Sequence, residues 1–95
     1  MYEVMPNPFE LRVQAACSYG DAVSVTHAQV RATPVGERVA RVQDSNQAVS
    51  VSAAMTVLSR DETETVVRVR TREWGALDRT RDWHYRVPAG EAAHA

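Results

Sequence analysis

Lysine is absent from this chain: all eleven basic side chains are arginine. That removes Schiff-base chemistry, a lysine general base and the phosphate-gripping lysine of a P-loop. Every cation is instead a planar fork suited to carboxylate, phosphate or aromatic partners. Cysteine occurs once, at Cys17, which excludes an internal disulfide and a multi-cysteine zinc site within one chain, and fits a reducing compartment. Glycine occurs four times, scattered, so there is no phosphate-cradling loop, and the serines stand in no nucleophile-elbow pattern. No more than three apolar residues stand consecutively, and the opening Met1 to Pro8 has neither a basic region nor an apolar run. The expectation is a cytoplasmic protein with no signal peptide and no membrane partner.

Charge of either sign barely prevails. The formal net charge of −1 gives no global field to draw in nucleic acid or anionic lipid. Residues 60–86 hold seven arginines against six acidic side chains, so an anion could be gripped there only if folding segregated the charges. With 95 residues the chain makes one domain with a small core, burying roughly 60–65% of the surface its unfolded form exposes.

The clearest positive signal lies at Thr65 to Trp74, where Val67, Val69 and Thr71 alternate with Arg68, Arg70 and Arg72. A period of two assigns the two sets to opposite faces of an extended strand. Residues 10–19 alternate in the same way, as do 48–58, where Val49, Val51, Ala53, Met55 and Val57 oppose Ser50, Ser52 and Thr56. A helical stripe through Ala48, Val51, Met55 and Leu58 competes there, and β-branched content decides for a strand. Residues 37–43 and 80–87 read as two more strands, the latter ending at Pro88. Asp21 to Thr33 supports a strand or a helix capped by Asp21 and stopped by Pro34. The fold expected is an all-β, mainly antiparallel sheet or sandwich of about six strands over residues 1–88, followed by a flexible tail at 89–95. The alternative is α+β, with one helix near 22–32.

A hairpin of 66–74 with 80–87 allows two registers. If paired residue numbers sum to an even value, Trp83, Tyr85 and Val87 join the core beside Val67, Val69 and Thr71. If the sum is odd, the rings join Arg68, Arg70, Arg72 and Trp74 in an exposed plate. Burial of two large rings favours the even register. Cys17, sharing its strand face with Leu11, Val13 and Ala15, reads as a buried structural thiol.

His27, His84 and His94 are too dispersed for a metal site, and no cofactor motif is present. The expected role is non-catalytic: a small interaction or assembly protein whose binding face comprises Arg68, Arg70, Arg72, Trp74 and Arg86. The partner is another protein or a second copy in a homo-oligomer, a dimer before other states, because a sheet has edges to cover. Glu37, Arg38 and Arg41 would guard the edge at 37–43, and the first ten residues offer no evident cover for the other. An anionic ligand or single-stranded nucleic acid is the less favoured alternative, and a small enzyme using His27 or His84 in a pocket is the third.

Overall fold

In the computed structural model, which describes residues 2–14, 21–75 and 78–90, seven strands and one short helix form two layers. The larger layer is a five-stranded sheet in the order β1-β7-β6-β5-β4, built from β1 (Glu3–Val4), β4 (Arg38–Ser45), β5 (Ser50–Arg60), β6 (Glu64–Trp74) and β7 (Arg79–Pro88). The smaller layer joins an antiparallel pair, β2 (Phe9–Arg12) and β3 (Ala22–Val25), to α1 (His27–Ala32).

Period-two alternation places Ala53, Met55 and Val57 of β5 on the same side as Val67 and Val69 of β6 and Val87 of β7, all buried. Leu11, Val13, Val25 and Val30 of the smaller layer close over them, so the core lies between the layers. At roughly 1.5–3 kcal/mol per buried aliphatic side chain, this interface is the main attractive force in the fold.

Polar side chains write the turns between the long strands. Asn46 Oδ1 accepts from the amides of Ala48 and Val49 at 2.7 and 2.9 Å, turning β4 into β5. Asp61 Oδ1 accepts from the amides of Thr63 and Glu64 and the Thr63 hydroxyl at 2.8–2.9 Å, turning β5 into β6. These amides hold the Asp61 carboxyl below its ordinary value, the Thr63 amide contributing most. Gly75 opens the next turn at φ +150°, where an added Cβ would sit 2.4 Å from the Ala48 carbonyl oxygen.

The ambiguous segment is divided between both readings. Ala22 to Val25 is strand, and the helix begins only at His27. Its cap is Thr26 rather than Asp21: Thr26 Oγ1 accepts from the Gln29 amide at 3.2 Å, while Gln29 Oε1 accepts from the Thr26 amide at 2.8 Å. This reciprocal box satisfies two otherwise orphaned donors. Arg60 secures the other end, donating from Nη2 to the carbonyls of Val30 and Thr33 at 2.9 and 2.7 Å, and from Nε to Thr65 Oγ1 at 2.9 Å.

Three further expectations are corrected. The first ten residues do cover an edge: β1 pairs in parallel with β7 at Tyr85 and Arg86, and Met5 is buried beyond it. The strand expected at 37–43 runs to Ser45, shifting the turn to Asn46. The hairpin takes the even register, Val67 opposite Tyr85 and Val69 opposite Trp83, yet Trp83 is 42% exposed rather than core. The sheet outruns the layer covering it, in a molecule measuring 50 × 21 × 21 Å. The thiol expected at Cys17 and the strand expected through residues 15–19 lie outside the described residues, as does the tail from residue 91. Ala89, just before it, is bonded through its amide to the Thr63 carbonyl at 2.9 Å.

Candidate functional site

The sheet has a second face, and among the described residues no element packs on it. Its strand residues are all half-buried or exposed, in contrast to the core side. Arg68, Arg70, Arg72 and Trp74 stand on it in a row along β6, opposite His84, Asp82 and Thr80 of β7 on one side and Thr56, Ala54, Ser52 and Ser50 of β5 on the other. Strand geometry spaces successive members of the row by about 6.6–6.8 Å. Arg86, opposite Val66, shares the face. The five binding-face residues expected from the sequence therefore lie on one surface.

Each has a distinct setting. Arg70 grips Asp82 with two parallel bonds, Nε to Oδ1 at 2.7 Å and Nη2 to Oδ2 at 3.1 Å. Those hydrogen bonds hold the Asp82 carboxyl below its ordinary value and raise the Arg70 guanidinium further. Arg72 lies over the Trp74 ring, 5.5 Å from its centroid, a cation–π contact. Arg86 Nε donates to the Tyr2 carbonyl at 2.9 Å, and the Tyr2 ring stacks on His84 at 5.1 Å. Arg68 Nε is buried with no hydrogen-bond partner.

The β4 side of this face escaped sequence reasoning. Arg41 pairs across from Ala54 and Arg38 from Thr56, which brings both guanidiniums to the surface that carries Arg68. Arg38 and Arg41 differ by three positions and should point to opposite faces; a β-bulge between Arg38 and Ala40 restores them to the same one. Two rows of arginine, on β4 and β6, thus border β5, whose Ser52, Ala54 and Thr56 form a floor of small side chains. Neighbouring strands are 4.7–4.9 Å apart, so the rows stand about 9–10 Å apart at the backbone.

The face carries six guanidiniums, those of Arg38, Arg41, Arg68, Arg70, Arg72 and Arg86, against the carboxylates of Glu64 and Asp82. A chain of net charge −1 has gathered four net positive charges on one surface. This is the segregation that composition alone could not reveal.

On the core side, where the covering layer stops, two shallow depressions of about 180 and 230 Å³ flank Trp83. Arg79, Arg81 and Glu73 line the first, and Phe9, Leu11, Val69 and Tyr85 the second. Neither His27 nor His84 lines them. His27 is buried, its Nε2 bonded to the Met5 carbonyl at 2.6 Å and its amide to Asn7 Oδ1 at 3.2 Å, which ties α1 to the segment after β1. Asp82 and His84 share a strand face as their spacing implies, but the carboxylate is taken by Arg70. Among the described residues no three metal-ligating side chains cluster, and no helix is long and apolar enough to cross a membrane. The chain matches no known protein-family model, no curated protein and no solved structure.

Proposed function

We propose that this is a non-catalytic docking protein that presents the open face of its sheet to an anionic partner. The single observation behind this reading is charge segregation: six guanidiniums against two carboxylates on a surface that, among the described residues, no element covers. Sequence reasoning set an anionic ligand below a protein partner or a second copy because residues 60–86 looked nearly neutral. Adding Arg38 and Arg41 from β4, and turning Arg79, Arg81 and Glu73 to the other side, reverses that weighting. The test is retention on immobilised heparin at low salt and neutral pH. A net-negative chain with a sequence pI of about 6.3 should be retained, and changing Arg41 and Arg68 together to Gln should release it. Passage of the folded wild-type protein straight through the column would end the proposal.

A second reading, self-association, has its own support. The Met5 amide bonds the Arg86 carbonyl at 3.0 Å, so the even-numbered residues of β7 aim their backbone groups away from β6. Among the described residues β1 pairs only with Tyr85 and Arg86 and none pairs with the outward amides and carbonyls of Thr80 and Asp82, so this stretch of sheet edge is a template for another strand. Thr80→Pro removes one such donor without touching the pairing with β6. Sedimentation should show a wild-type dimer at high micromolar concentration and a monomeric variant. A wild-type monomer would dispose of this reading.

A further inference from the structure

We infer that the trough between the β4 and β6 arginine rows is a binding site for single-stranded nucleic acid. The inference rests on the docking reading above and names the partner that the trough fits.

Width is the first argument. Rows about 9–10 Å apart at the backbone, over a floor of Ser52, Ala54 and Thr56, admit one extended chain. A duplex is broader than that, and a folded protein surface would meet the guanidinium tips without reaching the floor.

Hydrogen-bond polarity is the second. The trough walls carry Arg38, Arg41, Arg68, Arg70 and Arg72, which only donate, and the side-chain acceptors beside them are occupied, Gln43 Oε1 on β4 by Arg41 at 2.9 Å and Asp82 on β7 by Arg70. An extended acidic peptide would bring its own backbone N–H groups, which need acceptors when water is removed. A sugar-phosphate backbone brings acceptors alone. The hydroxyls of Ser52 and Thr56 can serve sugar or phosphate oxygens from below.

Ring placement is the third. Trp74 stands half-buried at the end of the Arg68–Arg72 row, offering a π surface where a base can stack. The Arg72 guanidinium above it, 5.5 Å from the ring centroid, can stack on a base in the same way. Arginine without lysine suits this ligand, because a planar fork both binds phosphate bidentately and stacks.

The experiment is fluorescence anisotropy of a short end-labelled oligothymidylate titrated with the full chain over a salt series. Competitors are a duplex of the same length and poly-glutamate of matched charge. Of the five wall arginines Arg70 is already held by Asp82, so about four phosphates should be neutralised. The slope of log affinity against log salt should then be about −3, at roughly −0.7 per phosphate. Arg41→Gln and Arg68→Gln should each reduce its magnitude by about 0.7. Trp74→Ala should weaken binding roughly 5- to 150-fold while leaving the slope unchanged. The duplex should compete less well than the single strand, and poly-glutamate should not compete. Equal competition by poly-glutamate would overturn the nucleic-acid assignment while leaving the docking reading intact. Absence of oligonucleotide binding by a protein that heparin retains would do the same, and absence of both would remove the two together. Circular dichroism of each variant separates loss of binding from loss of fold.

Discussion

Replacing Arg60 by alanine should cost about 1.5–3 kcal/mol of stability, more than an exposed arginine ordinarily contributes. Its guanidinium bonds the carbonyls of Val30 and Thr33 at the end of α1 and the hydroxyl of buried Thr65 on β6. Bonds donated by a charged group contribute about 1.5–3 kcal/mol each in protected settings. Here the arginine is exposed, and the Val30 carbonyl keeps a second partner in the Thr33 amide. A value of about 0.5–1 kcal/mol per bond is therefore appropriate, and three bonds give the stated range. For a domain of this size that lowers the melting temperature by roughly 6–24 °C. Urea unfolding followed by tryptophan fluorescence and by circular dichroism measures the loss. Arg60→Lys should recover only a fraction, since an ammonium cannot span three acceptors. Arg70→Ala, which breaks an exposed pair, should cost clearly less than Arg60→Ala. Two results would refute the reasoning: an Arg60→Ala variant within about 0.5 kcal/mol of wild type, or full restoration by lysine. The second would mean that a point charge at the helix end suffices and the fork is irrelevant.

Gly75→Ala should cost more than about 2 kcal/mol, because its Cβ would meet the Ala48 carbonyl. Gly36→Ala, at φ +90° with open space around it, should cost only about 1–2 kcal/mol of backbone strain; equal losses in denaturant would show that the hairpin shifts to relieve the clash. Met55→Ala, at a site with 0% exposure, should lose about 2–5 kcal/mol and Trp83→Ala less than half as much; the reverse order would mean that the sheet end is covered in solution. Acid should destabilise the fold through Asp61 and Asp82. Both carboxyls are held below the ordinary value of 3.8, so their contribution is complete above that pH and is lost as pH falls through the lower, folded values. Urea midpoints between about pH 5 and 2 should fall less steeply for Asp61→Asn than for wild type, and identical slopes would contradict the turn's role.

The strands were legible where their alternation reports directly on a buried side. Val51, Ala53, Met55 and Val57 announced β5, and Val67 and Val69 announced β6, because each strand has one face against the core. The cap of α1 was legible too, in the spacing of Thr26 and Gln29, but Asp21 and the valines around it drew attention to the wrong residue. Other features depend on partners distant in the chain. Glu3 and Val4 form a strand only because the edge of β7 is there to pair with. The exposure of Trp83 depends on how far β2, β3 and α1 extend over the sheet, which its own strand does not encode. The candidate face shows the same division. Arg68, Arg70, Arg72, Trp74 and Arg86 could be placed together by parity and register, whereas Arg38 reached them through a bulge with no evident sequence marker. Without β4 the face looked neutral and its partner looked like another protein.

The parallel pairing of β1 with β7 constrains the order in which the molecule can be assembled. The Arg86 guanidinium and the Tyr2 carbonyl are 84 residues apart, and the edge that β1 occupies does not exist until β7 has formed. During synthesis the early segments, with Met5, Leu11, Val25 and Val30 destined for the core, emerge well before the sheet that buries them. They must wait unfolded or sheltered, and closure through such distant contacts is slow. In the finished protein the same two-residue strand is held by few bonds and should be the first to peel away. When it does, the open edge of β7 lengthens from Thr80 and Asp82 to Arg86. The strand added last therefore governs how much edge a second chain can find.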